Sequence, residues 1–464
     1  MRRILVTLLA LGGIGLAQEV VVAQALPRPP GPWGAGFYPG LPTYTLQLTT
    51  VYPPETARFP GTFQVAYDDQ ALYLAARLRQ ETPPKAERQA DDPEWWQDDT
   101  LEVFLRPHAF DEEAPDLHLA VNPKGVRFER YTTPLAFEAR TGTFPGGWWA
   151  ELRIPFGEAL PPPQRGDLWQ LKVGRGHPAA GEYTLWPLGG SFHSPGNYGY
   201  LAFLEAPNDP EALAAQVRVR EGMLPPIPSR LQGIRRWALY YGGDPGALAS
   251  LQAYELVVLA REAPLALVRG LRERGVRVVA YLPVGVVPRG EAEQKGLLKA
   301  ALGPNPYAPD TLLMDPASAL WQAQVRAEAA RLLALGFEGF FLDGLDLADL
   351  YPEIIPELAA LIRSLREGYP QALLLQHRGF RVLRRTARFL DAVVYSGLSV
   401  DARGQIALND PSPVWPFRQR GLPALSLDQT PHAEAFDSAL RRALELGFVP
   451  YVARGQLTEA PQTP

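Results

Sequence analysis

Gly336-Phe337-Glu338-Gly339-Phe340-Phe341-Leu342-Asp343-Gly344-Leu345-Asp346 decides how the second half of this chain folds. The residues ahead of it, 321–335, are rich in Ala, Leu, Arg and Glu and read as a helix stopping at Gly336, a residue type that ends helices readily. A short, almost wholly apolar run follows, as expected of a strand buried on both faces of a parallel sheet. Its apolar side chains pull the strand into a core, so Asp343 and Asp346 fall where it emerges, at its C-terminal end. In a (β/α)8 barrel that end carries the active site. A plainer reading makes the two aspartates caps of a helix or loop, positions that Asp favours.

Working outward, the region beyond residue 230 alternates strand and helix patterns. Candidate strands fall at 237–241, 256–259, 276–282, 311–314, 337–342, 372–376, 392–395, 424–427 and 448–451, with helices such as 264–274, 354–367 and 433–445 between them. That is one strand more than a barrel needs, so 311–314 or the last should lie outside the ring. A length of about 235 residues suits one TIM barrel.

The first half reads differently. Short alternating segments broken by turns include 63–67 and 72–78, joined at Asp68-Asp69 as a hairpin, then 100–105, 117–121, 126–131, 148–154 and 168–173. Many short strands without a long helix predict an antiparallel β-sandwich. The chain is therefore multidomain, an N-terminal antiparallel β-sandwich followed by an α/β (β/α)8 TIM barrel. Met1-Arg2-Arg3 and the apolar run 4–16 ahead of Ala17 have the form of a secretory signal peptide, cleaved after Ala17 or Ala23. The run is too short for a comfortable membrane span. The expected layout is signal peptide 1–23, Pro/Gly-rich lead 24–44, sandwich 45–205, linker 206–230, barrel 231–455 and tail 456–464.

Composition narrows the function classes. Among 464 residues, Gly 42 and Pro 48 stay short of disordered composition, and 46% hydrophobic residues suffice for large cores. A net charge of −5 argues against a nucleic-acid partner, with Arg384, Arg385 and Arg388 read as a solvated helix face. The chain has no cysteine, so an exported form folds without disulfides. His108 and His118 make an unlikely zinc site, and Gly242-Gly243 lacks the order a dinucleotide site needs. No cofactor or metal is expected, although Asp98-Asp99 could offer oxygen ligands to Ca²⁺.

Trp96-Gln-Asp-Asp-Thr-Leu-Glu-Val-Phe-Leu105, Val121-Asn-Pro-Lys-Gly125, Gly147-Trp-Trp-Ala-Glu-Leu-Arg-Ile-Pro155 and Gly166-Asp-Leu-Trp169 resemble the family 9 carbohydrate-binding module and its relatives, across 45–205. A sugar platform needs exposed aromatic faces beside polar groups. Trp95, Trp96 and Trp148 are candidates with Asp98, Asp99 and Asn122 nearby. The competing reading puts such tryptophans in the core.

Val279-Ala-Tyr-Leu-Pro-Val-Gly285, Asp315-Pro316 with Trp321, the opening stretch, Gln376-His-Arg-Gly379 and Gly447-Phe-Val-Pro-Tyr451 resemble the glycoside hydrolase family 114 barrel, a group containing endo-α-1,4-polygalactosaminidase. The resemblance implies that Asp343 is a catalytic carboxylate. Glycosidases use two carboxyl groups, and here the chain departs from the family. The family's acids after the second strand, at the end of the third and after the Asp-x-Val-Val strand become Ala260, Val286 and Ser396. Asp428 or Asp315 could partner Asp343 instead. Asp346, Tyr240, Tyr281, His377, Arg378 and Tyr395 are candidate substrate-binding residues of the barrel, and Trp95 and Trp148 of the sandwich; His377 also reads as an ordinary loop histidine.

Two functions follow: a secreted glycoside hydrolase acting on an extracellular polysaccharide, possibly amino-sugar containing, or a non-catalytic carbohydrate-binding or cell-envelope protein with a degenerate barrel. The expected partner is a polysaccharide or oligosaccharide. Nucleic acid is not expected, nor an integral membrane segment in the mature protein, and the expected location is secreted, periplasmic or at the cell envelope.

Overall fold

The computed structural model describes residues 20–461 apart from 30, 35, 52, 91, 129–134, 159, 188–190, 193 and 195. Up to position 19, the expected signal peptide lies outside the described residues. Among the described residues, no helix is long and apolar enough to cross a membrane.

Among the described residues, twelve strands build the N-terminal half. Thr56–Tyr67, Ala71–Arg79 and Gly147–Pro155 pair antiparallel, as do Leu117–Val121, Thr100–Arg106 and Leu168–His177. Period-2 alternation turns one side chain in two from each group into a shared core. It holds Phe63, Leu74, Leu101, Val103, Trp148 and Trp169, none more than 1% exposed. This is the expected β-sandwich.

Val22–Pro27 is a further strand, parallel to Gly199–Phe203 and to the end of Thr56–Tyr67. Its Val22, Ala23, Ala25 and Leu26 are buried, so residues read as the end of a leader and the start of a Pro/Gly-rich arm belong to the sheet. Small apolar residues serve a leader and a buried strand equally well, which is why the sequence did not separate them. Processing after Ala17 leaves the strand whole; processing after Ala23 removes its first two residues.

The connection between the halves is docked on both. Asp209 caps helix Pro210–Gly222, which packs Leu213, Ala214 and Val217 with Val22 and Tyr200. Ile227 then enters the barrel core, its N–H donating to the Arg420 carbonyl at 2.6 Å. Arg384, Arg385 and Arg388 do not form a solvated face. They meet the sandwich loop at 111–116: Arg384 donates to the Asp111 carbonyl at 2.7 Å, Arg385 lies 3.4 Å from Glu113, and Arg388 lies 2.5 Å from the same carboxylate. Loop acids such as Glu112 and Glu113 lie far from these arginines in sequence, so the pairing is a tertiary event.

In the C-terminal half, eight parallel strands among the described residues run in sequence order. They are β1 (Trp237–Tyr240), β2 (Leu256–Leu259), β3 (Arg277–Pro283), β4 (Gly339–Asp343), β5 (Leu373–His377), β6 (Ala392–Ser396), β7 (Ala424–Gln429) and β8 (Val449–Ala453). The ring's two ends meet where Trp237 Nε1 donates to the Val449 carbonyl at 2.9 Å, with the Trp237 and Tyr451 rings 5.7 Å apart. The surplus candidate strand, Thr311–Met314, pairs instead with Val286–Pro288 and Ala301–Pro304 in a small antiparallel sheet between β3 and β4.

Helix Ala319–Ala334 ends ahead of Gly336, whose φ of +99° is the left-handed stop expected there. In β4, Phe340, Phe341 and Leu342 are buried, while Asp343 keeps a side-chain exposure of 25%. Gly344, at φ +85°, turns the chain immediately afterwards, and its carbonyl crosses close to Gly285. A Cβ on Gly285 would lie 2.0 Å from that oxygen, with backbone on both sides and no flexible side chain to yield. Gly285→Ala should therefore cost about 1–3 kcal/mol of unfolding free energy, read from denaturant midpoints.

Candidate active site

The C-terminal ends of the barrel strands surround an open cleft of about 840 Å³. Alternation along each strand decides which side chains reach it. Leu239 and Tyr241 face it from the end of β1, Tyr281 from β3, Phe341 and Asp343 from β4, His377 from β5, Ser396 from β6, and Leu427 and Gln429 from β7. Residues of opposite parity point into the helical layer.

Asp343 is the hub. Tyr281 OH donates to its Oδ2 at 2.9 Å, and His377 Nδ1 lies 2.6 Å from its Oδ1. The other ring nitrogen, His377 Nε2, is 2.8 Å from Ser396 Oγ. Burial pushes the Asp343 carboxyl up, but the neighbouring His377 and the Tyr281 hydroxyl outweigh it and hold the group below the usual aspartate range. Burial and the Asp343 charge push Tyr281 in the opposite direction, well above an ordinary tyrosine. Tyr241 packs edge-on against Tyr281 at 5.6 Å and is raised for the same two reasons.

A depressed folded pKa has a defined consequence. Asp343 stabilises the fold at pH values above its unfolded pKa, and that contribution is lost as pH falls through the lower folded value. Tyr281→Phe removes one donor to the carboxylate, so the acid limb of any Asp343-dependent rate should move to higher pH. The same change should cost about 1.5–3 kcal/mol, the usual worth of a hydrogen bond to a charged group. A pH–rate profile together with a thermal melt checks both.

Strand parity separates the expected site residues. Tyr281, His377 and Arg378 join Asp343 in the cleft. Tyr240 does not: it is 1% exposed, and its hydroxyl accepts from the Asp244 N–H at 3.1 Å. Tyr241, one position along, takes the place expected for it. Tyr395 likewise turns outward, donating to the Asp410 carbonyl at 2.9 Å, and leaves the cleft to Ser396.

Asp428 sits between the cleft-facing Leu427 and Gln429 and points away. Its Oδ1 accepts from the N–H groups of Ser399 and Val400 at 2.9 and 3.2 Å, and burial raises its pKa. It clamps the loop after β6. Asp315 lies on the excursion between β3 and β4, where its Oδ1 accepts from the Ala317 N–H at 2.8 Å. Asp346 begins the short helix Leu347–Leu350, beyond the cleft lining. None of these three acids faces Asp343 across the cleft.

The carboxylates that do line it with Asp343 are Glu262 and Asp401. Glu262 follows β2, two residues beyond Ala260, and its Oε1 lies 2.7 Å from Arg261 Nε. Asp401 spends Oδ1 on the N–H groups of Arg403 and Gln405, both at 2.9 Å.

In the sandwich, Trp148 is fully buried and Trp95 is 4% exposed, stacked on Phe128 at 5.4 Å, so neither presents a sugar platform. Inward parity took Trp148, and packing on Phe128 took Trp95. Trp96 is 51% exposed. Asp98 accepts from the N–H groups of Glu87 and Arg88 and from the Asn122 amide, while Asp99 binds the Lys85 N–H, Gln80 and His177. N–H donors thus occupy the oxygens that a Ca²⁺ ion would need.

Residues 37–174 match the family model described as carbohydrate family 9 binding domain-like. The match lies within the sandwich. A family 9 carbohydrate-binding module from Caldicellulosiruptor kristjanssonii, solved with glucose, is 18% identical over 40% of this chain and 98% of its own, with a TM-score of 0.31. The barrel is similar to the glycoside hydrolase domain of PelA from Pseudomonas aeruginosa, at 28% identity over 50% of this chain and 99% of that domain, with a TM-score of 0.45. Ega3 from Aspergillus fumigatus, solved with galactosamine, is 12% identical over 49% of this chain and 94% of its own, with a TM-score of 0.41. No curated protein sequence matches this chain. The likeness to carbohydrate-binding domains thus covers residues 37–174, and the barrel carries the cleft that holds Asp343, Tyr281 and His377.

Tyr241, Glu262 and Ser396 are among the cleft residues that the sequence did not select. Tyr241 needed the register of β1. Glu262 needed the length of the loop after β2. Ser396 was visible only as the residue standing where an acid was expected.

Proposed function

We propose that this chain is a secreted glycoside hydrolase of extracellular polysaccharide, amino-sugar polymers included, whose sandwich holds the polymer near the barrel cleft. The observation carrying this reading is Asp343, kept ionised at the mouth of a cleft walled by Tyr241, Tyr281 and Phe341. Pyranose faces pack on such rings while sugar hydroxyls bond to carboxylate, imidazole and guanidinium groups. Asp343 acts as base or nucleophile, and Glu262, displaced by two residues from the position where the family carries an acid, is the second carboxyl group the reaction draws on. The sandwich raises the effective concentration of substrate at the cleft.

A second reading, binding without cleavage, draws support from the outward placement of Asp315 and Asp428. Incubation with galactosaminogalactan, chitosan and neutral glucans separates the two. New reducing ends that disappear in Glu262→Gln support hydrolysis. Retention of polymer without new ends supports the binding role.

A further inference from the structure

Ser396, His377 and Asp343 stand on the ends of three consecutive barrel strands, linked through both imidazole nitrogens. We propose that they form a nucleophilic triad with acyl-ester hydrolase activity, directed at O-acyl groups carried on sugar hydroxyls. The substrate class rests on the carbohydrate-directed reading above; the acyl-transfer chemistry stands on the geometry alone.

The spacing is that of an activated hydroxyl. Ser396 Oγ lies 2.8 Å from His377 Nε2, and Asp343 Oδ1 lies 2.6 Å from His377 Nδ1, both inside the reach required of nucleophile, base and orienting carboxylate. With Nδ1–H donating to ionised Asp343, the Nε2 lone pair is left to accept the Ser396 proton. Tyr281 fixes the second carboxylate oxygen, so Asp343 cannot swing away from the imidazole without losing a hydrogen bond. Phe341 stacks against the His377 ring at 5.0 Å and holds its plane.

The backbone singles out the same place. Arg378, directly after His377, has φ +50°, and Gly379 has φ +58°. A left-handed arginine is strained, and such strain persists where the surrounding structure enforces it. Arg378 and Arg403 both line the cleft, and a guanidinium reaching the ester could donate to a developing oxyanion.

The chemistry balances with water as the only co-reactant. Ser396 Oγ attacks the ester carbonyl carbon while its proton passes to His377 Nε2. The tetrahedral intermediate collapses, the C–O bond to the sugar breaks, and the sugar alkoxide takes the proton from His377. Water then attacks the acyl-Ser396 carbonyl, giving its proton to His377. Collapse releases the carboxylic acid, and the proton returns to Ser396 Oγ.

The test uses the full chain with p-nitrophenyl acetate, followed by peptide mass mapping of acid-quenched protein. The expected result is a burst of p-nitrophenolate and an acetyl adduct on Ser396, with turnover falling roughly 10³-fold or more in Ser396→Ala. Ser396→Cys, which retains a nucleophile, should restore an adduct at the same position. Wild-type protein without an adduct on Ser396, or Ser396→Ala turning over at the wild-type rate while melting normally, overturns the proposal. Reducing-end release from polysaccharide is scored separately: its absence alongside an adduct removes the glycosidase reading and leaves the triad, and the reverse pattern removes the triad alone.

Discussion

Asp343→Asn should lower glycosidic hydrolysis by roughly 10²–10⁴-fold, the usual contribution of a positioned acid or base. Asparagine fills the same volume at the end of β4, so the ring of strands should persist. What it loses is the negative charge that His377 and Tyr281 are arranged to hold. Its amide presents a donor where a carboxylate oxygen accepted, so Tyr281 or His377 must turn from donor to acceptor to keep that contact. The loss should appear chiefly in kcat, because the aromatic walls of the cleft stay in place. Steady-state kinetics on whichever polymer the wild type cleaves, with a melt to confirm folding, checks it. Equal rates for Asp343→Asn and wild type would remove Asp343 from the chemistry.

The second large effect is on stability. Trp148→Ala should cost about 3–5 kcal/mol, the range for removing a fully buried aromatic side chain. Trp148 lies in the sandwich core with Leu74, Leu101 and Trp169 packed in the same cluster. Trp96→Ala, at an exposed position, should stay within about 0.5 kcal/mol of wild type. Denaturant unfolding of the two variants, side by side, distinguishes a core tryptophan from a surface one. Polysaccharide retention falling in Trp148→Ala while unfolding stays unchanged would instead restore it as a sugar-binding side chain.

Those two positions illustrate what the sequence could carry. Period, turn residues and helix stops were sufficient for a sandwich followed by a barrel, because both folds are set by which side chains must be buried. The surplus strand shows the limit: Thr311–Met314 has a strand's composition, and only its partners place it outside the ring. Within the site, Asp343, Tyr281, His377 and Arg378 were legible because they follow apolar runs directly. Tyr240, Tyr395 and Asp428 failed by a single residue of register, and a one-residue change of parity reverses the face on which a side chain emerges. Glu262 and Ser396 depend on loop length and on contacts between neighbouring strands, which no local pattern encodes.

Asp343, held charged at the mouth of the cleft, is the premise of the proposed hydrolysis. A ¹³C NMR titration of the Asp343 carboxyl, with and without α-1,4-linked galactosamine oligosaccharide, tests that most directly. The expected result is a midpoint below the ordinary aspartate value of about 3.9 and a resonance that moves when oligosaccharide is added. A midpoint at or above that value, with a resonance indifferent to the sugar, would contradict it.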